Sequence, residues 1–354
     1  MANKPGSRAD DGCGALATLV PRDQPSDVLV IKPSSLGDIV HTLPAVAWLK
    51  QNWPLARVHW VANTEWTPLL QGSPLLESVI PFPRQQFRGL GGLARARRWF
   101  RDFAETMARQ RPVAALDFQG LLRSAWLAKR SGAPCRLGLD DAREGARFFY
   151  HHRAAVRGCR HAVDRYLALV RLLQPSASAE DALRGDWLPA GRPLSSVPPE
   201  PFWLIHPFSR GQGKSLGWHD VLVLAEGLKN RPVVVVGRTA DPAPPLPAHV
   251  LNLANQTSLE ELVFVIRRAA GVISVDSGPM HLASALHRPL LSIHTWSDPR
   301  KVGPYDAGAW IWKGGRILRR DAVDDSLAAL RNAPGTADLQ NIADFAREHM
   351  PGPA

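Results

Sequence analysis

The chain has 354 residues, 45% of them apolar and 21% charged, with a formal net charge of +11. This composition excludes wholesale disorder and leaves room for two domains of ordinary size, roughly 100–200 residues each. The positive surplus favours an anionic partner, whether nucleic acid, phospholipid surface or phosphorylated metabolite, but no recognised nucleic-acid motif is present.

Residues 1–25 are rich in Gly, Pro and Asp and read as a flexible tail. Asp10 and Asp11 stand where a signal peptide carries positive charge. No window approaches the ~18 apolar residues of a membrane span. Cys13, Cys135 and Cys159 are odd in number and lack metal spacing, which implies free thiols in a reducing compartment. The expectation is a cytoplasmic protein whose contact with a membrane, if any, is peripheral.

Order begins at Asp27–Lys32, an apolar run without alternation, as in a parallel strand covered on both faces. A turn over 33–38 leads into a helix over Ile39–Gln51. Strands follow at Val58–Ala62 and Ser78–Pro81, then a basic amphipathic helix at Ala94–Arg109 and a strand at Ala114–Asp117. Strands alternating with helices imply βαβ units and a doubly wound sheet. Residues 188–201 hold five prolines and form the linker between an N-terminal domain, 26–187, and a C-terminal one, 202–335. The second set comprises strands at Phe202–His206, Pro232–Gly237, Gly271–Val275 and Leu290–Ile293. Its helices are Trp218–Lys229, Leu259–Ala269 and Met280–Leu286, and 336–354 carries a closing helix and tail. The fold class is α/β, with two Rossmann-like domains facing across a cleft.

Three strand-to-helix turns carry residues suited to chemistry. In Lys32-Pro-Ser-Ser-Leu-Gly-Asp38, Asp38 stands at a helix start on the carboxyl edge of the sheet, where open α/β folds bind ligands. Position alone leaves it open as a helix cap or as a base. In Arg210-Gly-Gln-Gly-Lys-Ser215, glycines permit close backbone approach and two cations face a helix N-terminus, as at a diphosphate site or in a merely solvated loop. In Asp276-Ser-Gly-Pro-Met-His281, free N–H groups at a helix start would face an anion, with His281 either a further donor to it or a structural partner. The glycines of a dinucleotide fingerprint and the Gly-Lys-Ser/Thr of a P-loop are both missing. Arg84, Arg88, Arg95, Arg97, Arg98 and Arg101 interleave with Phe87, Trp99 and Phe100, so this region reads as a solvated helix face or as a surface touching lipid headgroups.

Taken together, these blocks resemble the ADP-heptose:lipopolysaccharide heptosyltransferases. The match runs from Val28 to about Tyr305 through Lys-x-Ser-Ser-x-Gly-Asp at 32–38, Asp-x-Gln-Gly-Leu at 117–121, Ala-Arg-Glu at 142–144 and His-Ala-Val-Asp-Arg at 161–165. It continues through Thr-Ser-Leu at 257–259, Asp-Ser-Gly-x-x-His at 276–281 and Ser-Asp-Pro at 297–299. The Gln-Gly-Leu and Ala-Arg-Glu blocks point to the member acting first in that pathway. The resemblance implies a GT-B fold and an inverting transfer of heptose from ADP-heptose to Kdo on lipid A, without metal or cofactor, at the inner face of the cytoplasmic membrane. By the same resemblance Asp38 is the general base. Ser209, Arg210, Lys214, Asp241, Asp276, Ser277, Gly278 and His281 hold the donor, and Ser35, Arg84, Arg88, Gln119, Arg123 and Arg143 hold the acceptor. Phe208 departs from the family pattern, standing where a hydroxyl residue is usual. The alternatives are a related transferase with another sugar or acceptor, a nucleotide-sugar epimerase, and a non-enzymatic nucleic-acid binder.

Overall fold

The structure is a computed structural model that describes residues 23–173, 185–211 and 213–350. Most of the expected N-terminal tail, the last four residues and Gln212 lie outside that range. The chain divides into two compact units, Met1–Trp187 and Leu188–Ala354, each built on its own sheet.

The first unit contains β1 (Ser26–Ile31), β2 (Ala56–Asn63), β3 (Ser78–Phe82), β4 (Ala114–Asp117), β5 (Cys135–Leu139) and β6 (His152–Ala154). They pair in the order β3-β2-β1-β4-β5-β6, every pair parallel. Val28 to Ile31 in the central strand are wholly buried, which is why the segment reads as an unbroken apolar run. The main helices are α1 (Leu36–Asn52), α2 (Gly92–Gln110), α3 (Leu122–Arg130) and α4 (Ala162–Arg171). Residues 39–49 of α1 are buried on all sides, between the sheet and α4. By contrast, α2 buries one stripe, with Phe103 and Met107 inside and arginines outside. Phe87, Trp99 and Phe100 also turn inward. Trp99 stacks on Phe103 at 5.2 Å and its indole N–H donates to Pro81 O at 3.0 Å. The reading of these three rings as a lipid-facing set is therefore corrected: they are half-buried and pack against the core cluster rather than standing free.

The second unit contains β7 (Trp203–His206), β8 (Val233–Val235), β9 (Val250–Asn252), β10 (Gly271–Val275), β11 (Leu290–Ile293), β12 (Trp310–Lys313) and β13 (Arg316–Leu318). The order is β13-β12-β11-β10-β7-β8-β9, parallel except for the β12–β13 hairpin. Its main helices are α5 (Trp218–Gly227), α6 (Leu259–Arg268), α7 (Gly278–Ala285) and α8 (Thr336–His349). The last of these packs Leu339, Ile342, Ala343 and Ala346 into the same core as α5. Residues 188–201 form no helix or strand. Arg267 on α6 donates to Leu188 O at 2.7 Å, and Arg192 pairs with Glu261 at 2.8 Å, so the start of this segment is tied to the second unit.

In each sheet the winding direction reverses once, between β1 and β4 and between β7 and β10. Loops leaving the two strands at such a point diverge and open a crevice at the carboxyl edge. Asp38, Gln119, Ser209, Lys214 and Asp276 follow the strands at these two points, whereas Arg84, Arg88, Arg143 and Asp241 follow other strands of the same sheets.

Candidate active site

In the first unit the loop after β1 delivers Asp38 into the opening turn of α1. Ser35 is the N-cap and Asp38 the third helical residue, so the carboxylate closes a capping box. Its Oδ2 accepts from the Ser35 backbone N–H at 3.0 Å and from the Ser35 hydroxyl at 2.8 Å. Its Oδ1 accepts from the Tyr166 hydroxyl at 3.2 Å and lies 3.9 Å from Lys32 Nζ. The side chain is 41% exposed, and Oδ1 has a lone pair beyond the one that Tyr166 engages. The box fixes one carboxylate oxygen and orients the other. Burial pushes the Asp38 pKa up, but Lys32, Ser35 and Tyr166 outweigh it, and the net direction is down. Lys32 is buried, donates to Phe118 O at 3.1 Å, and sits 4.9 Å over the Tyr166 ring.

The loop after β4 forms the other wall. Gln119 Oε1 accepts from Ser34 N at 3.3 Å, tying the two loops together. Asp117 is fully buried and accepts from Tyr150 OH at 2.6 Å and from the backbone N–H groups of Gln119 and Gly120. Burial drives its pKa up. The backbone N–H of Arg143 donates to Gly120 O at 2.8 Å, which brings the Ala-Arg-Glu block against the Gln-Gly-Leu block. Arg84 and Arg88 line a cavity of about 440 Å³ at the ends of β2 and β3, together with Glu65 and Gln85. Arg123, partly desolvated, lies within reach of the charges of Arg84 and Glu144. Ser35, Gln119, Arg84, Arg88, Arg123 and Arg143 all follow strands of one parallel sheet and so share its carboxyl edge.

In the second unit the loop after β7 meets the turn after β10. Lys214 Nζ donates to Asp276 Oδ2 at 2.6 Å, and Ser209 Oγ donates to Asp276 O at 3.4 Å. Ser215 Oγ accepts from Ser209 N at 2.8 Å and Thr295 Oγ1 donates to Gly213 O at 2.8 Å, which pins the loop at both ends. Burial pushes Asp276 up, yet His294, Lys214 and His281 outweigh it and its pKa falls. His294 is itself driven to about 4 by burial and is therefore neutral near pH 7. With His294 neutral, the cation bonded directly to Asp276 is Lys214.

Ser277 N-caps α7, with its hydroxyl 3.0 Å from His206 Nδ1. Gly278 opens α7 and the buried His281 lies in its first turn, while Pro279 contributes no N–H. Arg210 is exposed on the glycine loop. Asp241 is exposed after β8, and its carbonyl accepts from Trp218 Nε1 at 3.2 Å. Phe208 packs edge-on against Trp218 at 5.3 Å in the core, so the departure at this position is a packing choice.

Four groups at the two crevices were not among the residues selected from the sequence. Tyr166 touches Asp38 from a position 128 residues away, although it directly follows the His-Ala-Val-Asp-Arg block that pointed to the neighbourhood. His206 and His294 are wholly packed beneath the donor-side loops. Lys313 is fully buried, donates to Ser297 O at 3.2 Å and Leu330 O at 2.8 Å, and is pulled down to about 8 by burial. Among the described residues no group of three or more His, Cys, Asp or Glu side chains is arranged to hold a metal ion.

Comparison with known proteins places this geometry. Residues 100–316, more than half the chain, match the family described as glycosyltransferase family 9 (heptosyltransferase). Lipopolysaccharide heptosyltransferase 1 of Escherichia coli K12 is 27% identical over 324 residues, covering 86% of this chain and 99% of that protein. The Pseudomonas aeruginosa protein of the same name is 28% identical over 308 residues, 78% of this chain and 81% of its own. Among solved structures, the E. coli heptosyltransferase WaaC with ADP superposes with a TM-score of 0.71 at 24% identity, covering 91% of this chain and 99% of that one. E. coli ADP-heptose lps heptosyltransferase II gives 0.68 at 22%, with coverages of 91% and 99%. The architecture is accordingly the GT-B type, and the chain belongs to glycosyltransferase family 9, the heptosyltransferases.

Proposed function

We propose that the protein transfers L-glycero-D-manno-heptose from ADP-heptose to Kdo on lipid A, the step performed by a heptosyltransferase of type 1 in lipopolysaccharide core synthesis. The donor follows the relatives, one of which was solved with ADP-2-deoxy-2-fluoro heptose. The observation that carries the reaction class is the Asp38 carboxylate, with one oxygen locked by Ser35 and the other half-open beside Tyr166. An inverting transfer is one in-line displacement. Asp38 Oδ1 takes the proton of the acceptor hydroxyl as that oxygen bonds to the anomeric carbon, and the bond to the β-phosphate of ADP breaks. With its pKa lowered Asp38 is ionised at neutral pH. A weak base of this kind acts only when proton transfer is concerted with attack, because the hydroxyl acidifies as the new bond forms.

The departing diphosphate gains charge in the same step. Lys214, held by Asp276, and the N–H groups at the start of α7 are oriented before the reaction to receive it, and the exposed Arg210 on the same loop adds positive charge. In this reading these cations do the work that a metal ion does in other transferases, and no cofactor takes part. Asp276 then serves as the counter-charge that aims Lys214, and Asp241 as a partner for the ribose. Arg84, Arg88, Arg123 and Arg143 form an anion-holding rim for the phosphorylated acceptor, with Ser35 and Gln119 at the sugar. Such an acceptor lies in a membrane, so the enzyme would work from the cytoplasmic side as a peripheral protein.

The test is a panel with purified protein: ADP-heptose, ADP-mannose, UDP-glucose and GDP-mannose, each with Kdo-bearing lipid A and with lipid A lacking Kdo. Transfer confined to ADP-heptose, or strongly preferring it over ADP-mannose, and dependent on Kdo supports the proposal. Transfer preferring another nucleotide sugar, or to an acceptor without Kdo, overturns the substrate assignment. Turnover of the donor without any acceptor overturns the reaction class.

A further inference from the structure

We infer that the rim of the first unit's crevice is a docking surface for an anionic bilayer, in which Leu90, Leu93 and Phe148 enter the headgroup layer while arginines between them meet lipid phosphates. The inference deepens the reading above, in which the acceptor is a membrane lipid, but its test does not pass through sugar transfer.

The distribution of exposed apolar side chains motivates it. Among the described residues of the first unit, six large apolar residues are more than a third exposed, and five of them lie on segments that follow β3, β4 and β5. Leu90 is 100% exposed and Leu93 66%, at the turn leading into α2. Leu122 and Trp126 on α3 are 45% and 40% exposed, and Phe148 beside them is 76% exposed. The sixth, Leu55, sits before β2, at the opposite edge of the sheet.

Leu90 is held out rather than left loose. Gly89 and Gly91 on either side both take left-handed backbone angles, with φ of 71° and 75°. Arg95 then staples the turn: its guanidinium donates to Gln86 O at 2.7 Å and to Arg88 O and Leu90 O at 3.2 Å each. A turn braced by three carbonyl contacts presents an apolar side chain to solvent, where water opposes it.

The charge around these residues selects the occupant. Arg88, Arg97 and Arg98 are exposed around Leu90 and Leu93. On the other side Lys129 lies 5.7 Å over the Trp126 ring and Arg147 5.0 Å over that of Phe148. Arg84 and Arg123, within reach of each other's charge, link the two groups. Isolated leucines and rings set among cations match the interface of a bilayer carrying negative lipid, where apolar tips enter the acyl boundary and each cation adds about fivefold to binding. No helix among the described residues is long and apolar enough to cross a membrane, so contact through this rim would be superficial.

The experiment is sedimentation of the full chain with large unilamellar vesicles of phosphatidylethanolamine containing 30% phosphatidylglycerol, against vesicles of phosphatidylcholine alone. Three proteins are compared: wild type, Leu90→Ser/Leu93→Ser/Phe148→Ser, and Arg97→Glu/Arg98→Glu. Wild type should bind the anionic vesicles at least tenfold more tightly than the neutral ones. The apolar triple variant should lose tenfold or more at unchanged ionic strength, and the charge-reversed variant should lose more still. Both variants should keep the wild-type far-ultraviolet circular dichroism and thermal midpoint, which shows that the fold is intact. Wild-type binding that is absent, or equal in the apolar variant, overturns the inference whatever the donor specificity proves to be. A concentration-dependent dimer in wild type that the triple variant abolishes also overturns it, because the same residues would then be covered by a second copy.

Discussion

Each unit sets an aspartate beside a lysine at its sheet reversal, and the two pairs are built in opposite senses. In the first, the ammonium of Lys32 is buried and bonded to a backbone carbonyl, 3.9 Å from a carboxylate that is 41% exposed. In the second, the carboxylate of Asp276 is 9% exposed and bonded at 2.6 Å to a lysine that is 25% exposed. One crevice offers water a carboxylate supported from behind by a cation; the other offers a cation supported by a carboxylate. Burying the supporting member fixes its position and leaves the outer member's remaining valence for a ligand. On the proposed reading, the same two residue types serve as a proton acceptor in one unit and an anion holder in the other.

The largest effect that could break this contrast is at Asp38. In Asp38→Asn the side-chain oxygen still accepts from Ser35, so the capping box and the fold persist, but the group can no longer take a proton. Turnover should fall about a thousandfold, within the ~10²–10⁴ range of general-base contributions, while donor affinity stays within about threefold. Single-turnover kinetics and calorimetric titration with ADP separate the two. Near-wild-type turnover would leave Asp38 as a cap only.

Next in size is Lys214. Lys214→Ala should raise donor KM and lower kcat together, about a hundredfold in kcat/KM, the cost of about one charge-assisted contact in a preorganised site. It also strands Asp276 as a buried, unpaired carboxylate, so the double variant with Asp276→Asn is the sharper measurement. If Lys214 holds the diphosphate, the double variant stays impaired. Recovery to near wild type would mean that the lysine merely neutralises Asp276, and the contrast between the units would collapse.

How much of this was legible depends on burial and distance. Strands β1, β2, β4, β7, β10 and β11 are covered on both faces and read directly as apolar runs. Strands β6, β9 and β13 have three residues each, too few to show a period, and β5 is interrupted by Arg136, whose guanidinium goes to Phe149 O. The loops bearing Asp38, Lys214 and Asp276 were readable because turn chemistry is local. Their partners were not, since Tyr166 reaches Asp38 across 128 residues and Lys214 reaches Asp276 across 62. The inward turn of Trp99 could have been read, for position 99 shares one helix face with the buried Phe103 and Met107.

A smaller effect comes from the floor of the donor crevice. His206 and His294 are fully buried, and burial drives both to about 4. The unfolded chain, with an ordinary imidazole pKa near 6.5, takes up protons that the folded unit resists. Stability is therefore complete above about pH 6.5 and declines as pH falls towards 4, by about 2 kcal/mol per histidine at pH 5. Urea denaturation at pH 7 and pH 5, for wild type and for His206→Asn/His294→Asn, measures this. The variant should lose most of the difference between the two pH values. If its loss at pH 5 matches that of wild type, acid sensitivity lies elsewhere, and the neutral floor is not a property that sets the second unit apart.

The smallest effect tests whether the carboxylate of the first unit is tuned as well as held. Tyr166→Phe removes one donor from Asp38 Oδ1 and leaves Ser35 and Lys32 in place. That hydroxyl bonds the ionised form and lowers the Asp38 pKa, so its loss raises it. A base must be ionised to act, and the acid limb of kcat/KM should move to higher pH. At the plateau kcat should stay within about threefold, because a stronger base offsets part of the lost orientation. A purely structural tyrosine gives another signature, a uniform loss at every pH with the limb unmoved. A limb shifted to lower pH would contradict the sense of the tuning, since it would require the hydroxyl to favour the protonated acid.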